Sequence, residues 1–499
     1  MDASISASFA TLAIGAVFTR PDTAAFAVDA FGILDLWLSG KTVLDPTMGQ
    51  ANLLEVLVDA ALEKGYALSE LPLHNLFGVE CNAAFHSNAR AKFINKYHVD
   101  MSANFYRQDI LKFDSVRADV LFGNPPWCNF SDLPREYKEF VKPFFLDYGL
   151  APNKRKLLLG GSRIDIAALI IQKTITDNLI DNGIAVFFLP LSLFLNDGAH
   201  EAFRCFTAGN KRYALKAVYD FADKDVFGIS ARSGLALFEK KAAYNKEIPY
   251  FRYENEWKEY TAFPALNRKG SFLAVTRAKR QSAFVQITVP SESKPRQGIN
   301  TCGANGVFIF TEYQDIDDTV CKVFSSGNYY HLPKKFIYPL ITTKNFTFTE
   351  KPQKWILLPY NPHGKPLDEL SPYPLLKDYF EKYRHVLAAR KGVFIQTYIQ
   401  RGLWWALLGV GPYSFQQYKI VWEAYGKKHF TPRLFEGSWQ ANQSLQAFIP
   451  CNDKKTALRI LDKLQKPEVE NFLRSSKMEG TMSWAQPGKI SNMLIFTDG

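Results

Sequence analysis

The residues most able to do chemistry are Asn124-Pro125-Pro126-Trp127, which follow the apolar run Asp119-Val120-Leu121-Phe122-Gly123. Each proline fixes its own φ and restricts the residue before it, so the tetrapeptide is a stiff loop with carbonyls in set directions. The side-chain oxygen of Asn124 and the backbone carbonyl of Pro125 make two acceptors. Two acceptors match the two hydrogens of one amino group, and the Trp127 indole offers a flat face to the ring that carries it. A ring-bound amine is a weak nucleophile because its lone pair is delocalised. Accepting both N–H bonds favours a pyramidal nitrogen and frees that pair, which is stabilisation by preorganised acceptors.

Three acidic residues suit a nucleoside joined to an amino acid. Asp45 opens Asp45-Pro46-Thr47-Met48-Gly49-Gln50-Ala51-Asn52. There a strand end leads through a tight turn at Gly49 into a helix, the backbone can approach a ligand, and a carboxylate can sit near the helix N-terminus. Glu80, closing Phe77-Gly78-Val79-Glu80, can chelate ribose hydroxyls. Asp109, in Gln108-Asp109-Ile110-Leu111, can accept from an adenine amino group. Taken singly, each is a helix cap or a loop carboxylate. Three at successive strand ends form a pattern.

The elements that must position them read as alternating strands and helices. Strands are expected at 42–44, 76–79, 119–122, 183–189, 217–220 and 234–238, and helices at 53–62, 83–96, 165–178 and 199–206. That rhythm predicts a doubly wound, Rossmann-like α/β sheet, in which ligands sit at the carboxyl ends of strands. Beyond residue 240 the rhythm gives way to aromatic, basic segments punctuated by Pro and Gly, with a final helix at 454–464. The expected division is a catalytic domain at 1–245 and a mixed α+β domain at 246–499.

Charge follows the same division. Residues 1–240 hold 24 Lys+Arg and 27 Asp+Glu, whereas 241–499 hold 36 and 22. A near-neutral half joined to a basic half suits an enzyme that grips a polyanion such as nucleic acid. The six cysteines include no CxxC pair, so neither a zinc site nor a redox motif is indicated, and they suit a reducing cytoplasm. No apolar run is long enough to span a membrane, and Asp2 stands where a signal peptide would be basic.

The ordered set resembles the gamma class of adenine-N6 DNA methyltransferases over most of residues 15–240. Phe18-Thr19-Arg20-Pro21-Asp22 looks like that family's opening motif. The resemblance implies S-adenosyl-L-methionine as cofactor, held by Thr19, Asp45, Pro46, Thr47, Gly49, Glu80, Cys81, Asp109, Ile110 and Asn124, with no metal. It makes Asn124, Pro125, Pro126 and Trp127 the catalytic motif and places Trp127 and Phe227, in Asp225-Val226-Phe227-Gly228, against a flipped adenine. Two departures stand out: Ala51 where the family's loop carries a second glycine, and Arg20 beside Thr19.

The segment Lys294 to Phe308, with Gly298, Gly303 and Gly306, is similar to the entry of target-recognition domains, as are Tyr338-Pro339-Leu340-Ile341 and the Lys419–Glu423 strand. Lys344, Arg401, Trp404, Trp405, Lys427, Lys428 and Arg433 then suit phosphate contacts with some base readout. The implied partners are duplex DNA with a specific recognition sequence and a separate restriction endonuclease, with no membrane, for a cytoplasmic monomer. The opening motif lies so near Met1 that no nuclease is expected before it. An alternative stays open: Asn-Pro-Pro-aromatic also serves enzymes that methylate ribosomal RNA or a release-factor glutamine.

Overall fold

The computed structural model describes residues 18–151, 164–195, 200–208, 211–222, 226–228, 232–242, 247–265, 272–276, 286–347, 351–425, 429–443, 446–475 and 485–497. The chain forms two compact units that divide after Ser282.

The first unit is built on one mixed sheet. Its strands are β1 (Val43–Asp45), β2 (Leu76–Val79), β3 (Phe105–Tyr106), β4 (Ala118–Gly123), β5 (Leu179–Pro190), β6 (Thr207–Ala208), β7 (Lys211–Asp220), β8 (Ser233–Lys240), β9 (Ile248–Tyr253), β10 (Trp257–Ala265) and β11 (Phe272–Thr276). Their order is β11-β10-β9-β7-β8-β5-β4-β1-β2-β3, with β6 hairpinned onto β7. Strands β1 to β5 run parallel, and β8 enters antiparallel between β5 and β7.

Short parallel strands buried on both faces are written as apolar runs, and here successive residues face opposite cores. Val43, Val120, Phe122, Val186 and Phe188 lie in one core; Leu44, Leu121, Ala185, Phe187 and Leu189 lie in the other. Helices α1 (Pro21–Ala30), α2 (Ile33–Leu38), α3 (Asn52–Glu63) and α4 (Ala83–Tyr97) pack in the first core, and α5 (Arg135–Asp147) and α6 (Ile166–Asp177) in the second. The expected doubly wound α/β sheet is thus present.

Two expectations change. The sheet does not stop at residue 245, because β9 pairs parallel with β7 and β10 and β11 follow antiparallel, carrying the first unit to Ser282. The helix expected over 199–206 is only a 3-10 turn at Phe203–Cys205; its first residue lies outside the described residues.

The second unit is mixed α+β. It has a four-stranded sheet of Arg296–Gln297, Gln446–Cys451, Tyr418–Glu423 and Arg433–Glu436, a pair of Ile287–Pro290 with Leu494–Thr497, and two three-stranded sheets, one of Ile309–Phe310, Lys354–Leu357 and Ile337–Leu340 and one of Glu312–Asp315, Val320–Ser325 and Asn328–Pro333. Three helices matter below: α7 (Pro374–Lys382), α8 (Arg384–Ala388) and α9 (Val393–Gln400). A further helix, α10 (Lys454–Leu464), stands where its periodicity predicts it. The Gly298 backbone lies so close to that of Ala441 and Asn442 that a Cβ would meet a carbonyl carbon at 2.5 Å. Residues 283–499 carry 27 Lys+Arg and 18 Asp+Glu, so the basic excess persists beyond the shifted boundary. Among the described residues, no helix is long and apolar enough to cross a membrane.

Candidate active site

One cavity in the first unit lies at the carboxyl ends of β1, β2 and β4, and it gathers most of the residues singled out by type. Phe18, Thr19, Asp45, Pro46, Thr47, Gly49, Glu80, Cys81, Asp109, Ile110, Asn124 and Pro126 all line it. Pro125, Trp127 and Phe227 are not in its wall.

Asp45 is the last residue of β1 and is buried; its Oδ1 accepts from the Thr47 amide at 3.0 Å. The turn that follows is bound to the next strand, since the Met48 amide donates to the Val79 carbonyl at 2.9 Å. Gly49 has φ +53, and Ala51 adopts φ +60 at the N-cap of α3. The second value explains the departure at this position. The backbone keeps the left-handed turn that a glycine would take freely, and the alanine bears a strain of about 1 kcal/mol. Thr47 Oγ1 is buried and has no hydrogen-bond partner among the described residues.

Glu80 sits one residue past β2 and ties two loops together. Its Oε2 accepts from the Gly49 amide at 2.9 Å and its Oε1 from the Asn82 amide at 2.6 Å, while the exposed Cys81 thiol lies 3.6 Å from Oε1. Asp109 caps a 3-10 turn, accepting from the Leu111 amide at 2.9 Å, and its other oxygen accepts from the Tyr137 hydroxyl at 3.0 Å. Burial pushes the carboxyl of Asp45 up to about 8, against the Thr47 amide and with help from the charge of Glu80. Burial also raises Glu80 and Asp109. Three carboxyls in one apolar-walled cavity thus favour a ligand that carries positive charge.

Asn124 follows β4 directly, and its Nδ2 donates to Thr19 Oγ1 at 3.1 Å. That bond turns the amide so that its oxygen points the other way. The loop can approach Asp45 because residue 123 is glycine; a Cβ there would meet Pro46 Cδ at 2.9 Å and Asp45 Oδ1 at 3.3 Å. Gly78 does the same on β2, where a Cβ would meet Met48 Sδ at 2.2 Å. Trp127 is half-buried and meets Phe227 edge to face, with centroids 5.1 Å apart and planes at 74°; Phe227 in turn meets Phe188 at 5.7 Å. The two aromatics are therefore together, but packed on each other. Trp127 Nε1 is buried and unpartnered among the described residues.

The exit of the loop is fixed by a residue read from sequence only as a helix start. Asp165 caps α6, accepting from the Ala167 amide at 2.9 Å, and the same oxygen accepts from the Cys128 amide at 3.2 Å. Tyr137 is a second residue missed from sequence, because nothing in its surroundings marks it as a partner of Asp109. Of the residues singled out in the second unit, Trp404 and Trp405 are core residues, and the Trp405 indole donates to the Leu367 carbonyl at 3.0 Å. Both rings are buried, which corrects the expectation that they share in base readout. Lys344, Arg401 and Arg433 are exposed; Lys427, Lys428 and Asp225 lie outside the described residues.

The fold and this cavity define a class: a doubly wound, Rossmann-like α/β sheet that carries a cavity at its strand ends, with an additional mixed α+β unit. No family model and no curated protein matches the chain. Among solved structures it is similar to the type IIL restriction-modification enzyme MmeI in complex with DNA, with a TM-score of 0.50 and 12% identity over 94% of this chain and 66% of that one. The chain therefore spans about two thirds of the length of MmeI. It also matches the type IIG restriction endonuclease BpuSI, with a TM-score of 0.41 and 14% identity over 97% and 59% of the two chains. A type I restriction-modification methyltransferase subunit from Streptococcus thermophilus matches at 0.35 and 21% over half of each chain. At these identities the likeness to MmeI is one of fold.

Proposed function

We propose that this chain is an S-adenosyl-L-methionine-dependent DNA methyltransferase that modifies N6 of an adenine turned out of duplex DNA, as the modification enzyme of a restriction-modification system. The observation that carries the reading is one cavity walled both by Asp45, Glu80 and Asp109 and by Asn124. The likeness to MmeI, a type IIL restriction-modification enzyme in complex with DNA, supports the substrate class.

The residues fit the cofactor. Glu80 keeps lone pairs for ribose hydroxyls after taking the Gly49 and Asn82 amides. Asp109 faces the cavity beside Ile110, as an acceptor for an adenine amine next to an apolar ring contact. Asp45 offers charge to an ammonium, and the orphaned Thr47 hydroxyl gains a partner. When bound, the cofactor supplies an electrophilic methyl group on a sulfonium. Asn124 and the Pro125 carbonyl accept the two hydrogens of the target amine and hold its lone pair toward that methyl. Thr19 keeps the Asn124 amide turned the right way. Trp127, with Phe227 behind it, steadies the turned-out base. The second unit, with its basic excess, holds the duplex.

Purified protein with methyl-labelled cofactor and duplex DNA should yield labelled N6-methyladenine on digestion. Asn124→Ala should lower transfer by at least about a hundredfold while cofactor binding persists. Label in cytosine, in RNA or in a protein amide, with none in adenine, would overturn the reading.

A further inference from the structure

The second unit presents one helical face that its own packing does not account for. Val393 and Phe394, at the start of α9, are 70% and 60% exposed, more than any other large apolar side chain among the described residues. They are not loose. The residue before them, Gly392, has φ +123, open to glycine. Behind it, the buried Arg390 guanidinium donates to the carbonyls of Trp404 (2.7 Å), Leu387 (3.1 Å) and Thr301 (3.3 Å). Gln396 Nε2 donates back to the Arg390 carbonyl at 2.5 Å, and Ile395 anchors the buried side of the helix. Keeping a valine and a phenylalanine in water gains nothing for the fold, since polar residues would serve the helix as well.

Helical spacing puts Phe394, Thr397 and Arg401 in one row and Val393, Thr397 and Gln400 in the next, and all are exposed. An apolar tip followed by Thr, Gln and Arg is the composition that reads base edges. Arginine pairs with guanine, glutamine with adenine, and apolar groups meet the thymine methyl. The surroundings suit a polyanion: no Asp or Glu occurs between Lys382 and Glu423, and Lys382, Arg384, Lys391 and Arg401 are exposed.

We infer that this face of α9 is the surface by which the second unit enters the major groove of duplex DNA. Val393 and Phe394 lie against thymine methyls, and Lys391 lies on the flanking phosphates. The inference rests on the reading of the chain as a DNA-modifying enzyme and gives that enzyme a contact surface.

The test uses the full chain and a random-sequence duplex, followed by fluorescence anisotropy across a salt series. The double variant Val393→Ser/Phe394→Ser should bind about tenfold more weakly with an unchanged salt slope, whereas Lys391→Gln should lower the slope by about one. Ile316→Ser, at an exposed apolar residue in a loop elsewhere in the second unit, should bind as the wild type does. Replacing thymine by uracil in the duplex should weaken the wild type and leave the double variant indifferent; the wild-type arm does not depend on how any variant folds. A double variant that binds like the wild type, or a wild type indifferent to uracil, overturns the inference alone. A wild type with no affinity for duplex overturns it together with the proposed function. A wild-type dimer that dissolves in the double variant shows instead that a second copy covers this face, and also overturns it.

Discussion

Asp45 is buried at the end of β1, and the charged group that acts on it is a second carboxylate, Glu80. Its carboxyl titrates near 8 in the folded chain against an ordinary 3.8, so between those values the folded protein keeps a proton that the unfolded chain has lost. Stability must then fall as pH rises from about 4 to about 8, and the loss is complete above that. Asp45→Asn removes the titration. The variant should melt near the wild-type temperature at about pH 4 and clearly above it at about pH 9, and it should bind cofactor poorly at both. Equal melting temperatures at high pH would show that burial does not hold the proton. In the wild type, affinity for the cationic cofactor should rise as pH passes about 8, since the ionised form of Asp45 is the one an ammonium stabilises. At this scale residue type was legible but partnership was not. Asp45, Glu80 and Asn124 announce themselves by following apolar runs. The Thr19 hydroxyl that turns the Asn124 amide lies 105 residues away, and no local pattern encodes that distance.

Elements decide whether those side chains meet. The loop that bears Asn124 is held at both ends: Gly123 lets it pass close over Asp45, and Asp165 takes the Cys128 amide where the loop leaves. Asp165→Ala removes an acceptor from two backbone donors. It should cost about 1–2 kcal/mol of stability, read as a shift in denaturation midpoint, with Asp165→Asn recovering much of it. If the bond also positions the loop, Asp165→Ala should slow methyl transfer more than it weakens cofactor binding; an unchanged rate would make Asp165 a helix cap and nothing more. The strands and helices around this loop were readable because buried parallel strands are short apolar runs and their crossover helices keep a clean period. What failed to read has physical causes. β9 and β10 interleave Arg252, Lys258 and Glu259 with aromatics, so they look like the start of another domain. Trp404 and Trp405 closely follow Arg401 in sequence, yet their rings fill a core, because large aromatics serve both purposes equally well. Ala51 showed only as a missing glycine; the turn it keeps, at φ +60, became visible only in three dimensions.

For the molecule as a whole, charge and fold divide at different places. The first unit runs to Ser282, and with it go several of the cations first counted with the second half. The residues beyond still carry 27 basic against 18 acidic groups, and cations such as Lys344, Lys391, Arg401 and Arg433 are exposed. If about five of them neutralise phosphates, each releases condensed counterions, and the binding constant should fall by roughly five hundredfold for a fourfold rise in salt. The logarithm of affinity should be linear in the logarithm of salt, and it should be nearly the same for any duplex sequence in its slope. Sequence preference should appear as an offset, because base contacts release few ions. Cofactor affinity, set by carboxyls inside a cavity where screening is weak, should barely move over the same range. A flat slope for DNA would remove the second unit as a clamp even if methyl transfer were observed. The duplex would then have to be held by the first unit, whose residues 1–282 carry 33 basic and 31 acidic groups, close to neutral.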